Sequence, residues 1–263
     1  MFNFDFYNPT HIVFGKDRLG ELDTLVPKDA KVLITYGGGS AVRSGLIDRI
    51  VKALGNRKVE QFGGIEPNPS LETCERAVAF IKEHGVDFVL AVGGGSVVDA
   101  TKLIVMGATY DGPVIEVMKA GVPAVPVEMV PNPLPFGTVM TLPATGSEMN
   151  NGAVITYGDG KYPVFSSLVF PKFSMLDPTL TFTLPEKQVK NGVIDTFVHT
   201  TEQYLTYPVE GRIQDRFSEG ILKTMIEIGK ETVENPENYD IRANHVWAST
   251  LALNGLIGAC LLY

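Results

Sequence analysis

Apolar residues in the first two thirds of the chain fall into short runs, punctuated by glycine and polar residues. Val32-Leu33-Ile34, Phe88-Val89-Leu90-Ala91-Val92 and the mostly apolar stretch Thr138 to Leu142 read as strands covered on both faces, over 31–36, 87–92 and 138–142. A further strand is predicted at 58–62, and alternation predicts two more at 2–7 and 11–14 around the turn Asn8-Pro9. Helix-period stripes lie between them. Leu19, Leu22 and Leu25 mark a short helix, and Leu46, Ile47, Ile50, Val51 and Leu54 mark a helix over 41–54. Leu71, Cys74, Val78 and Ile81 follow Ser70, whose hydroxyl suits an N-cap. Strand and helix alternating in this order imply parallel pairing with right-handed crossovers.

The pattern weakens from Gly107 to Gly137, a stretch rich in Pro, Gly and Val that yields no clear element, and resumes as strands at about 152–156, 163–169 and 173–176. Beyond Leu184-Pro185 only helix period remains, predicting helices at 186–205, 209–232 and 240–262. The fold class is therefore α/β with a parallel sheet over residues 1–180, followed by an all-α domain over 181–263. Val246 to Tyr263 carries no charge, yet Ser249, Thr250, Asn254, Gly255 and Gly258 suit a helix buried among helices better than a membrane span.

Composition narrows the functional classes. Of 263 residues, 44% are hydrophobic and 20% charged, which is ordinary for a soluble protein. A net charge of −8 argues against nucleic-acid and anionic-membrane surfaces. Cys74 and Cys260 are far apart and in no metal-like spacing, so a reducing cytoplasm is the expected location. The start, Met1 to Phe6, lacks a basic leader and reads as strand rather than signal peptide.

Candidate chemistry begins with a repeated turn. Gly37-Gly38-Gly39-Ser40 and Gly93-Gly94-Gly95-Ser96 each follow a buried strand, the second continuing to Asp99. Glycines there let the backbone approach a ligand, and a following helix offers free amides to phosphate oxygens. Two such turns on neighbouring strands suggest a dinucleotide across the sheet; the alternative is a pair of tight turns without a ligand. A second signal is Asp195-Thr196-Phe197-Val198-His199, which sets a carboxylate and an imidazole one helical turn apart, able to grip one divalent cation or simply to pair at a surface. Glu202 lies on a neighbouring stripe as a candidate supporting partner. His11, His84 and His245 have no partner at ligand spacing, so the pair is half of a metal site.

Taken in order, the second glycine turn through Asp99, Thr141 through Glu148, Lys161, Leu176-Asp177-Pro178, Thr183-Leu184-Pro185 and Asn191 through His199 resemble the iron-containing (group III) alcohol dehydrogenases, especially the NADPH-linked butanol dehydrogenase and aldehyde reductase branch. The resemblance covers nearly the whole chain. It implies a Rossmann-like N-terminal domain and a helical metal-binding domain with the active site between them. It also implies that Gly95 and Ser96 meet the pyrophosphate, that Asp99 lies near the nicotinamide end, and that Gly94 and Thr145 belong to the coenzyme site. Asn68, Thr141, Leu142 and Lys161 match further coenzyme positions, and Asp195 and His199 match the first two of four ligands to Fe²⁺ or Zn²⁺. Where NAD-preferring relatives carry an acid in the first turn, this chain has Gly38, which favours NADP(H); Ser40 and Arg43 could meet its 2′-phosphate.

The segment from Gly107 to Gly137 departs from the family, and the expected last two ligands lie beyond Tyr263, so a truncated member is expected. Three readings follow: an alcohol dehydrogenase or aldehyde reductase acting on a small alcohol or aldehyde, an NADP(H)-binding remnant without metal chemistry, and a related lyase-like cyclase. A homodimer through the N-terminal strands is implied by resemblance only.

Overall fold

The computed structural model describes residues 3–206 and 210–258. Six parallel strands, β1 (His11–Phe14), β2 (Lys31–Tyr36), β3 (Lys58–Phe62), β4 (Phe88–Gly93), β5 (Phe136–Met140) and β8 (Phe173–Leu176), form one sheet in the order β1-β8-β5-β4-β2-β3. The chain runs from β2 outward to β3, then returns past β2 to β4 and continues the other way. The order therefore reverses between β2 and β4, opening a crevice at their carboxyl ends.

Strand side chains alternate into two cores. Val32, Ile34, Phe88, Leu90 and Val92 meet Leu22 of α1 (Leu22–Leu25) and Leu46, Ile47 and Ile50 of α3 (Leu46–Ala53), which follows the single turn α2 (Ser40–Arg43). On the opposite face Leu33, Val89 and Ala91 meet α4 (Leu71–His84), α5 (Gly95–Gly107) and α6 (Val114–Lys119). Each large side chain so buried contributes about 1.5–3 kcal/mol. Strands β6 (Gly152–Tyr157) and β7 (Gly160–Phe165) stand apart as an antiparallel hairpin.

A 3-10 turn at Pro178–Thr181 separates the last strand from α7 (Glu186–Thr206), α8 (Arg212–Glu234) and α9 (Tyr239–Ala252). Val246 of α9 packs with Met140 and Leu176, the last residues of β5 and β8, so this helical layer rests on the carboxyl end of the sheet.

Several expectations are corrected. Residues 3–7 form no strand: Phe4 and Tyr7 are 54% and 71% exposed, and among the described residues no strand pairs with them. Residues 1–2 of that expected strand, and residues 207–209, lie outside the described residues. The helix expected over 41–54 is cut at Gly45, whose φ of 70° is left-handed. The strand expected at 163–169 ends at Phe165, where Ser166 turns the chain by accepting from the Leu168 amide. The helix expected over 240–262 stops at Ala252, since Gly255 has a φ of 86° and the Asn254 side chain accepts from the Leu256 amide; residues 259–262 lie outside the described residues. Within the unassigned stretch after Gly107, Val114, Val117 and Met118 bury the apolar face of α6.

Candidate functional site

The two glycine turns sit side by side. Tyr36 and Val92 are register partners, so Gly37 to Gly39 and Gly93 to Gly95 leave adjacent strands at the mouth of the crevice. Gly39 has a φ of 91°, which only glycine adopts without strain. A Cβ on Gly95 would lie 2.3 Å from Oγ1 of Thr145, and one on Gly94 would lie 3.0 Å from Cβ of Leu142. The stretch after β5 is thus pressed onto the second turn, with the Thr141 amide donating to the Gly93 carbonyl at 2.9 Å. The amides of Gly95 and Ser96, at the start of α5, find no acceptor among the described residues. The first turn leads only into α2, one turn long, and Arg43 donates back to the Gly38 carbonyl at 3.4 Å.

A second set of residues closes over this corner from distant parts of the chain. Asn68 adopts a left-handed φ of 55°, its amide donating to Oγ of Ser96 at 3.3 Å. Lys161 on β7 donates to Oδ1 of Asn68 at 2.8 Å. The hairpin reaches Asn68 because the Thr156 amide donates to the Pro69 carbonyl at 2.8 Å, and Thr156 stands opposite Lys161 in register. Asn68, Ser96 and Lys161 are therefore brought together, with Gly94, Gly95, Thr141, Leu142 and Thr145 around the same turn and Gly37 to Ser40 on the neighbouring strand.

Asp99 is committed internally. Its Oδ1 accepts from the Ser147 hydroxyl at 2.6 Å, and its Oδ2 accepts from the Val154 amide at 2.9 Å. One turn along α5, the fully buried Lys102 donates to Ser147 Oγ at 2.9 Å, Asn150 Oδ1 at 2.8 Å and the Gly152 carbonyl at 2.6 Å. Burial lowers the Lys102 ammonium to about 8, against the opposing pull of Asp99 and Glu148. Burial likewise raises the Asp99 and Glu148 carboxyls, and Glu148 accepts from the Thr250 hydroxyl of α9 at 2.6 Å. Sequence reasoning overlooked Lys102, Ser147 and Asn150. The signal was that Asp99 and Lys102 are the only charges in α5.

The expected metal pair lies on α7. The Asp195 Oδ1 and His199 Nε2 atoms are 3.7 Å apart, beyond a hydrogen bond and close to the roughly 3.4 Å separating two tetrahedral ligands about 2.1 Å from one cation. His199 Nδ1 is buried without a hydrogen-bond partner. These two side chains fit a divalent cation as part of its ligand set; among the described residues no third His, Cys, Asp or Glu joins them. Gly192, one turn before Asp195, lies against the Pro143 carbonyl, where a Cβ would approach to 2.3 Å. By helical spacing Gly192, Asp195 and His199 share a face, and the stretch touched by Gly192 is the one that touches Gly94 and Gly95. Of the other histidines, His84 stacks on Phe80, His11 is exposed on β1, and His245 is buried against Gly192.

Comparison with known proteins matches this layout. Residues 9–178 match the family described as iron-containing alcohol dehydrogenase, and residues 189–261 match the C-terminal region of the same family. The NADPH-dependent aldehyde reductase YqhD of Escherichia coli K12 is 52% identical over 98% of this chain and 67% of its own length. The probable NADH-dependent butanol dehydrogenase 1 of Bacillus subtilis is 43% identical over 98% of this chain and 66% of its own. The crystal structure of E. coli YqhD superposes with a TM-score of 0.92 at 50% identity, covering 97% of this chain and 65% of that one. The chain thus spans about two thirds of the length of these relatives.

Proposed function

The chain belongs to the iron-containing alcohol dehydrogenase family, and from that premise we propose that its crevice holds NADP(H) for hydride exchange with a small alcohol or aldehyde. The observation carrying this reading is the convergence of Lys161, Asn68 and Ser96 on the glycine corner at the point where strand order reverses. The Gly95 and Ser96 amides and the Lys161 ammonium would hold the phosphates of the coenzyme, and the lack of a side chain at Gly95 would let it approach the backbone. Leu142 and Thr145 form the wall beside it and exclude water. The lack of an acid at Gly38, with Arg43 close by, supports NADP(H), in line with the cofactor in the printed name of the E. coli relative. The B. subtilis relative carries NADH in its name, so preference is the first quantity to measure.

Asp195 and His199 would hold a divalent cation, Fe²⁺ or Zn²⁺, which when bound supplies Lewis-acid polarisation of the substrate oxygen. Only two candidate ligands are present among the described residues, which favours a second reading: a chain that binds coenzyme well and cation poorly, with impaired turnover. Titration with NADPH and NADH, followed by Zn²⁺ or Fe²⁺, tests both. We expect tighter binding of NADPH than of NADH and weak cation binding that Asp195→Ala abolishes without altering NADPH affinity. Absence of NADPH binding rejects the whole reading, and rapid metal-dependent turnover rejects the impairment.

A homodimer through the N-terminal segment also belongs to this reading, since Phe4, Phe6 and Tyr7 are exposed and β1 ends the sheet with one edge unpaired among the described residues. A monomer at all concentrations in sedimentation rejects it.

A further inference from the structure

We propose that Lys102 is a positioning residue that clamps the β6–β7 hairpin onto α5 and so holds Lys161 over the glycine corner. The hairpin lies outside the main sheet and, among the described residues, has no strand neighbour beyond a single bridge between Ser70 and Thr156. Ile155 and Val164 bury one face of it in the core with α5 and α6, Phe165 exchanges backbone hydrogen bonds with Gly121 and Val125, and polar contacts hold the end nearest α5. Lys102 spends all three ammonium hydrogens on Ser147, Asn150 and Gly152, the segment that leads into β6. Asp99, one turn earlier on α5, takes the Val154 amide and, through the Ser147 hydroxyl, shares the same network. Two residues of one helix thus grip the near end of the hairpin, while Lys161 and Thr156 reach Asn68 at the far end.

The chain closes into a ring: Ser96, Asn68, Lys161, the hairpin, Val154, Asp99, and back along α5 to Ser96. A wholly buried ammonium is costly, and an apolar side chain of like volume would fill the space at less expense. Its ligands all lie on the hairpin's approach, which accounts for keeping the charge there.

The coenzyme part rests on the proposed NADP(H) reading, so two measurements are needed on the full chain. Hydrogen exchange of the free protein reads the clamp without coenzyme. In Lys102→Met, amides of 152–165 are expected to exchange at least about tenfold faster while those of β2 and β4 are unchanged. NADPH titration then reads the consequence. Lys102→Met and Lys161→Met should each weaken binding about tenfold, and the double variant should be no weaker than Lys161→Met, because one acts through the other. Ser147→Ala, which removes only the bridging hydroxyl, should move both readouts the same way by a smaller factor, and serves if Lys102→Met does not fold.

Unchanged hairpin exchange overturns the clamp. Faster exchange with unchanged NADPH affinity, or effects that multiply in the double variant, overturns the positioning role. A wild-type chain that binds no NADPH overturns the coenzyme reading instead, and is told apart because the exchange data still report the hairpin.

Discussion

Single atoms decide most at the glycine corner and beneath it. Gly95→Ala would place its methyl against Oγ1 of Thr145, so either the turn or the opposing stretch must move. We expect NADPH affinity to fall at least about tenfold with little change in secondary structure, read by fluorescence titration and circular dichroism. His245 gives a pH signature. Burial brings it down to about 4 from 6.5, against the opposing pull of the Gly192 backbone and with a smaller push from the Arg242 charge. Between those values the unfolded chain binds a proton that the folded chain refuses. Stability from this residue is complete above pH 6.5 and is lost as pH falls toward 4, by on the order of 3 kcal/mol. Melting temperatures across this window should drop in the wild type and drop less in His245→Gln; equal slopes would refute the assignment.

Among elements, the strands of the main sheet were legible because both faces are covered, so their residues are continuously apolar and no register choice is needed. The hairpin was harder. Val154 is exposed between buried Ala153 and Ile155, and Pro163 sits on β7, which is paired on one side only, so neither period nor length marks its limits. Lys102 escaped notice because a lysine within a helix is ordinarily solvated, and only the fold shows that acceptors 45 or more residues away surround it. The spacing of Asp195 and His199 was plain from sequence, but the seat of α7 was not. It depends on Gly192 lying flush with the Pro143 carbonyl. Gly192→Ala should therefore push α7 outward, destabilising the fold by about 1–3 kcal/mol in urea titration and loosening cation binding at Asp195 and His199.

In the molecule as a whole, the helical layer leaves apolar surface open. Phe217 and Trp247 line a groove of about 220 Å³ between α8 and α9, and Ile213 and Ile226 on α8 are also exposed. A hydrophobic dye should bind the wild type and bind Phe217→Glu at least twofold less, with less self-association in sedimentation. Equal dye binding would show that this groove is not the exposed patch. The order of the sheet has a different consequence, one for the ribosome. β1 is the first strand made, and its neighbour in the sheet is β8, the last. The nascent edge at His11–Phe14 must therefore wait, unpaired, until Leu176 has left the exit tunnel. This sheet closes only once its last strand has been made, and its slowest search is for its own beginning.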